Sequence, residues 1–233
     1  MRVTAVIATL NEEATVAEVV RNCLRHVDEV LVVDGGSHDG TCRSAQAAGA
    51  RAMALGQRGK GLALRQGIAA ANGEVLLFID ADGSHRPQDI PLLLAPILRD
   101  EADLVIASRV AGGSDELRGA PGHLLRALGT RALQTLVNRR FRVRLTDIQN
   151  GFRAIRTAVA HDLGLRESGF CIEQEMVIAC LRRGYRVVNV PSREHRRRHG
   201  RSRLSLWRDA PRFVWSAAWL LWAGDVPSDG GSG

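Results

Sequence analysis

Asp80 and Asp82 stand two residues apart, directly after the apolar run Val75-Leu76-Leu77-Phe78-Ile79 and just before Gly83. In an extended segment the side chains at i and i+2 project to the same side, so both carboxylates can lean on one hard divalent cation while the glycine turns the chain away. A nucleoside diphosphate suits such a cation, which bridges its phosphate oxygens and offsets charge on a leaving diphosphate. The same tripeptide can equally well end a strand and cap the helix that follows, because short acidic motifs recur by chance. The surrounding elements bear on that choice.

Strand and helix patterns alternate through the first half. Val3–Thr9 reads as a strand, Glu12–His26 as a helix with Val16, Val19, Val20 and Leu24 on one face, and Glu29–Val33 as a strand ending at Asp34. Helices are expected over 41–48, 61–71 and 90–99, with strands at 75–79 and 104–108. This order predicts an α/β fold with a mostly parallel, doubly wound sheet and helices on both faces. Ligands on such sheets collect at the carboxyl ends of strands, where Thr9-Leu10-Asn11-Glu12, Asp34 and Asp80-Ala81-Asp82 all fall. No G-x-G-x-x-G follows the first strand and no Walker loop occurs, so neither accounts for a nucleotide site.

The chain has 233 residues, 24% of them charged and 45% apolar, enough for one good core. Its net charge of +7 is unevenly placed: residues 1–105 carry 10 Lys/Arg against 14 Asp/Glu, and residues 106–233 carry 22 against 11. An acidic half suits a nucleotide handled through a cation, and an arginine-rich half suits a phosphate or an anionic membrane surface. Nucleic acid is not expected as a partner, since aromatic residues make up 4% and no recognisable binding motif interleaves the basic ones. Cys23, Cys42, Cys171 and Cys180 show no paired spacing and no secretory leader precedes them, so reduced thiols in a cytoplasmic protein are expected.

The motifs, taken in order, resemble glycosyltransferase family 2. Those that carry the likeness are Ala8-Thr9-Leu10-Asn11-Glu12-Glu13, Val32-Val33-Asp34-Gly35-Gly36-Ser37-His38-Asp39-Gly40-Thr41, Gly59-Lys60-Gly61 and Asp80-Ala81-Asp82. Ala107-Ser108-Arg109, Asp147-Ile148-Gln149-Asn150-Gly151-Phe152-Arg153, Glu173-Gln174-Glu175-Met176, Gly184-Tyr185-Arg186 and Gly200-Arg201-Ser202-Arg203-Leu204 are similar to the polyprenyl-phosphate sugar synthases, such as dolichol-phosphate mannose synthase. The likeness spans residues 3–206 and implies a GT-A domain over 1–206. It also implies an inverting, metal-dependent hexosyltransferase that takes a GDP- or UDP-linked sugar to a polyprenyl phosphate. Two departures bear on the subgroup: Gly35 stands where a second acid is common, and Ser84 where a glutamine is often found near the metal.

Carried over by position, the resemblance assigns Mg²⁺ or Mn²⁺ to Asp80 and Asp82. The donor falls to Thr9, Asn11, Glu12, Asp34, Lys60, Asp80 and Ala81, with Asp34 on the base or ribose. Lys60, between two glycines that free the backbone to approach a phosphate, is expected on the diphosphate, with a solvated surface charge as the alternative. Asp39 and Thr41 read more simply as a cap on the next helix. Arg109, Arg126, Thr130, Arg201 and Arg203 are implied at the acceptor phosphate, and Asp82, Arg109 and Arg153 as catalytic residues. Arg126 serves equally well on a solvated helix face. A phosphate oxygen is already ionised, so such an acceptor needs guanidinium forks rather than a base. Glu173 and Glu175 match the position where a base would serve a hydroxyl acceptor, and equally fit the first turn of a helix. The second reading is therefore a family 2 enzyme acting on a soluble hydroxyl acceptor in polysaccharide or secondary-metabolite synthesis.

Six arginines crowd residues 193–203, a stretch expected to be mobile and, by resemblance, to close over the phosphates. All four tryptophans follow between Trp207 and Trp222. An amphipathic aromatic helix is expected over 207–227, lying at a membrane surface or packing on protein, and a disordered tail over 228–233.

Overall fold

The computed structural model describes residues 1–115 and 122–197, apart from the side chains of 122–128. The side chain of Arg126, together with Arg201, Arg203, the expected helix at 207–227 and the tail at 228–233, lies outside the described residues. The central element is a seven-stranded sheet in the order β3-β2-β1-β4-β6-β5-β7. Its strands are β1 (Val3–Thr9), β2 (Glu29–Asp34), β3 (Arg51–Ala54), β4 (Val75–Phe78), β5 (Leu104–Ser108), β6 (Arg153–Arg156) and β7 (Val187–Pro191). Between them run α1 (Glu13–Cys23), α2 (Thr41–Ala47), α3 (Lys60–Ala70), α4 (Ile90–Leu98), α5 (Arg109–Gly112), α6 (Gly122–Phe141), α7 (Thr157–Asp162) and α8 (Ile172–Arg182).

Strands β1, β2, β3 and β4 are mutually parallel, as alternation with helices requires. The chain winds from β1 outward to β3, then returns across β1 to β4. The carboxyl ends of β1 and β4 therefore flank the point where winding reverses, and a crevice opens there. Each central strand is buried on both faces. Val6, Leu31, Leu76 and Phe78 join the core under α3, α6, α7 and α8. Ala5, Ile7, Val30, Val32 and Leu77 join the core under α1 and α4. Near-continuous apolar strands follow from that double burial.

Three strands are absent from the sequence reading, among them β7, which pairs parallel to β5 at the far edge of the sheet. The short, half-exposed β3 extends the sheet at one edge. Strand β6 enters between β4 and β5 and runs antiparallel to both, with Phe78 opposite Arg153 and Ile106 opposite Arg153. Its reversed direction brings the chain just before it, residues 147–152, to the carboxyl end of β4. Among the described residues no helix is long and apolar enough to cross a membrane.

Leu77, fully buried at the centre of β4, sets the scale of core packing. Leu77→Ala is expected to cost about 3 kcal/mol through lost burial and a residual cavity. By differential scanning calorimetry that corresponds to a fall in Tm of roughly 6–12 °C for a chain of this size.

Candidate active site

Strand β4 ends at Phe78, and the chain is already turning at Ala81 and Asp82, with Gly83 at a φ of 74°. The two carboxylates therefore do not project side by side from an extended segment. Asp80 leans one way: its Oδ1 lies 2.7 Å from Lys60 Nζ and its Oδ2 lies 3.3 Å from His85 Nε2. Asp82 leans another: Oδ1 accepts from Ser84 N at 2.9 Å, and Oδ2 lies 3.0 Å from Arg197 Nη2. Ala81 turns its methyl group into the core. Among the described residues no group of three or more His, Cys, Asp or Glu side chains forms a ready-made metal cage.

Lys60, the first residue of α3, bridges Asp80 and Glu173 with 2.7 Å contacts to both. Burial alone would push its ammonium down, but the two carboxylates outweigh burial and hold it above its ordinary range. Burial likewise opposes an ionised Asp80, and Lys60 and His85 reverse that, holding the carboxyl well below the usual range. The flanking glycines make room for a neighbouring stretch of backbone. A Cβ on Gly59 or Gly61 would stand 2.5 Å from the Ser168 carbonyl oxygen or 2.3 Å from that of Glu167, so the glycines admit the backbone of residues 167–168. Gly151 plays a related part, because a Cβ there would meet Asp80 Oδ2 at 2.8 Å.

At the carboxyl ends of β1 and β2, Asp34 is nearly fully buried and its lone pairs are used within the protein. Oδ1 accepts from Thr9 Oγ1 at 3.0 Å and from the Ser37 hydroxyl, while Oδ2 accepts from the amides of Gly36 and Ser37. Asp34 thus shapes the turn beneath any nucleotide. Asn11, at a φ of 58°, donates its amide to Ser37 Oγ and accepts from His38 N. Glu12 donates its amide to Thr41 Oγ1 at 2.9 Å. Gly40, not Asp39 or Thr41, is the N-cap of α2, and Asp39 instead accepts from the amides of Thr41 and Glu13 and so ties the two loops together.

Across the crevice Arg109 grips Asp147, with Nε at 2.7 Å from Oδ2 and Nη2 at 3.1 Å from Oδ1. Burial opposes the Asp147 charge, yet Arg109 and backbone amides hold its carboxyl below the ordinary range. Arg109 Nη1 faces Glu194 Oε1 at 3.7 Å. Asn189 of β7 pins the same loop by accepting from Thr146 N and Asp147 N and donating to the Asp147 carbonyl. Thr130 on α6 donates to Gln149 Oε1 at 3.0 Å.

Arg153 does not face the acceptor side as expected. Its side chain is 1% exposed, with Nε donating to the Asn150 carbonyl and Nη1 to that of Glu173. An arginine spending its donors on carbonyls fixes loop geometry and makes no phosphate fork. Glu175 is corrected in the same way: its two oxygens accept from the amides of Arg166 and Glu167, each at 2.9 Å. Burial pushes its carboxyl up. Glu173 and Glu175 both sit in the first turn of α8, but only Glu173 reaches Lys60.

Residues 4–164 match the family described as Glycosyl transferase family 2. The chain belongs to glycosyltransferase family 2. Among relatives, it is 34% identical over 221 residues to undecaprenyl-phosphate mannosyltransferase of Micrococcus luteus, covering 88% of each chain. It is 33% identical over 201 residues to glycosyltransferase AglJ of Haloferax volcanii, covering 82% of this chain and 62% of that relative's length. Glucosyl-3-phosphoglycerate synthase of Mycobacterium tuberculosis, solved with Mn²⁺, UDP-glucose and phosphoglyceric acid, superposes with a TM-score of 0.75 at 25% identity. That superposition covers 97% of this chain and 81% of the other. The family 2 chain thus has the GT-A fold, and the sheet order with its antiparallel β6 is the architecture it displays.

The Lys60 cluster makes a prediction with a definite sign. Asp80, held low, contributes stability that is present above about pH 4 and lost as pH falls through its depressed value. Lys60→Met leaves two carboxylates without their cation, destabilising the fold at pH 7 by roughly 3 kcal/mol. One of those carboxyls then titrates above its unfolded value, so its neutral form favours folding at low pH. The Tm gap between wild type and Lys60→Met is expected to narrow from pH 7 to pH 4; a gap independent of pH would contradict the assignment.

Proposed function

We propose that this family 2 enzyme transfers a hexose, with inversion, from a GDP- or UDP-linked sugar to a polyprenyl phosphate. The observation that carries the acceptor reading is the state of the two carboxylates offered as bases. Glu175 is spent on backbone amides and Glu173 is paired to Lys60. An acceptor oxygen that is ionised already needs neither. The likeness to a mannosyltransferase named for undecaprenyl phosphate supports the same class.

Mg²⁺ or Mn²⁺ fits Asp80 and Asp82. Both are hard oxygen donors at the same turn, and each already draws a cationic side chain to one oxygen, Lys60 in one case and Arg197 in the other. Asp80 and Asp82 would hold the ion by their oxygens and leave it open to the donor. When bound, such an ion offsets charge gathering on the diphosphate. The remaining work belongs to the chain itself. Lys60 keeps Asp80 ionised and aimed at the crevice. The Asp34 turn and the Asn11 loop shape the floor for base and ribose. Arg109, held by Asp147 along one edge and facing Glu194 with Nη1, is the guanidinium assigned to the acceptor phosphate, and Thr130 steadies Gln149 in the same loop as Asp147. Arg126 is assigned to the same phosphate on the family resemblance alone. Positioning and charge stabilisation supply the rate, and the transition state is oxocarbenium-like.

A second reading, transfer to a small soluble acceptor, draws on the phosphoglyceric acid held by the M. tuberculosis neighbour. GDP- and UDP-sugars, assayed with Mn²⁺ against a short polyprenyl phosphate, 3-phosphoglycerate and a sugar hydroxyl acceptor, separate the two. Turnover with the polyprenyl phosphate alone is expected; turnover only with a soluble acceptor would overturn the lipid reading.

Asp82→Asn is expected to lower kcat/KM by roughly 10²–10³-fold with Tm within a few degrees of wild type. Glu173→Gln is expected to retain the acidic limb of the pH–rate profile, the limb that a general-base carboxylate would set. Loss of a titrating limb in that variant would restore Glu173 as a base.

A further inference from the structure

Strand β7 is followed by a short arm, residues 192–197, that doubles back over the site. The arm is fastened along its length. Ser192 Oγ donates to Asp89 Oδ2 at 2.8 Å, Glu194 forms a bridge with Ser114, Arg193 pairs with Asp115 at 2.9 Å, and His195 N donates to the Ser84 carbonyl at 2.8 Å. Two residues beyond that last anchor, Arg197 reaches Asp82 at 3.0 Å. Asp82 is 5% exposed, and Ser84 N already takes its other oxygen. A nearly buried carboxylate beside the crevice thus meets a guanidinium delivered by a backbone anchored through the four residues from Ser192 to His195.

We propose that Arg197 is a positioning residue that stands in for the divalent cation on Asp82 and makes uptake of cation and nucleotide a single coupled event. This rests on the reading of Asp82 as a metal ligand. With no nucleotide present, an ion arriving at Asp82 must displace Arg197 and leave that guanidinium without its carboxylate, which weakens binding of the ion alone. When a diphosphate arrives on the same cation, it offers the displaced guanidinium a new anion, and the loss is recovered. The penalty therefore falls on the lone ion and not on the ion with its nucleotide. By linkage, the nucleotide tightens ion binding and the ion tightens nucleotide binding by the same factor.

Mn²⁺ titrations of the full chain, read by electron paramagnetic resonance with and without UDP or GDP, test this. Arg197→Ala is expected to bind Mn²⁺ alone about fivefold more tightly than wild type, and the gain conferred by nucleotide is expected to shrink by a similar factor. Arg196→Ala removes an equal charge from the neighbouring, exposed position. It is expected to leave both quantities within about twofold of wild type, and an equal response would reduce Arg197 to one charge among many. If Asp82→Asn abolishes Mn²⁺ binding while Arg197→Ala matches wild type, this inference fails and the metal site stands. If Asp82→Asn binds Mn²⁺ like wild type, the metal site itself fails. Melting curves of each variant establish that it is folded before the comparison is made.

Discussion

The ammonium of Lys60, wedged between Asp80 and Glu173, is the contact on which the rest of the site depends. A lysine shielded from water loses hydration worth several kcal/mol, and a single carboxylate at this distance does not reliably return it. Two do, and their joint pull holds the Lys60 ammonium charged while Lys60 in turn holds Asp80 ionised. The triad also joins three distant parts of the chain: the start of α3, the end of β4 and the first turn of α8. Glycine occupies positions 59 and 61 because a side chain there would meet the backbone of residues 167–168, and position 151 because it would meet the Asp80 carboxylate and the Lys60 ammonium.

Around this junction the protein separates two tasks. The parallel half of the sheet supplies a turn built on Asp34 and a loop built on Asn11, both nearly saturated by internal hydrogen bonds and so rigid before any ligand binds. The antiparallel β6 turns the chain around so that residues 147–152 lie against Asp80. There Arg153, Asn189 and the Arg109–Asp147 clamp hold the loop still. Rigidity on both sides is what in-line glycosyl transfer requires, since misplacement of about 1 Å can cost two orders of magnitude in rate.

Much of this architecture was legible in residue order. The apolar runs of β1, β2, β4 and β5, each bounded by polar turn residues, announced parallel strands, and the acids at their ends marked the crevice. Strand β3 was illegible because Arg51-Ala52-Met53-Ala54 lies at a half-exposed edge and lacks the apolar density of a buried strand. Strand β6 was illegible for a related reason: Arg153-Ala154-Ile155-Arg156 is short and bracketed by charge, and its direction follows from tertiary pairing. In the site, the acids at 80 and 82 could be picked out, but their partners could not. Lys60 and Glu173 are separated by more than a hundred residues, and an arginine after Gly151-Phe152 reads as exposed until its carbonyl partners are in view. His85 and Asn189 carried no signal beyond residue type, and Arg197 none that set it apart within the arginine-rich stretch at 193–203.

Diffraction from crystals grown with Mn²⁺ and a nucleoside diphosphate, recorded near the manganese absorption edge, addresses the central claim most directly. The account predicts one anomalous peak within coordination distance of Asp82, bridged to the diphosphate, with Arg197 turned away from that carboxylate. A nucleotide bound with no peak there, or a peak elsewhere with the Arg197–Asp82 pair intact, would contradict it.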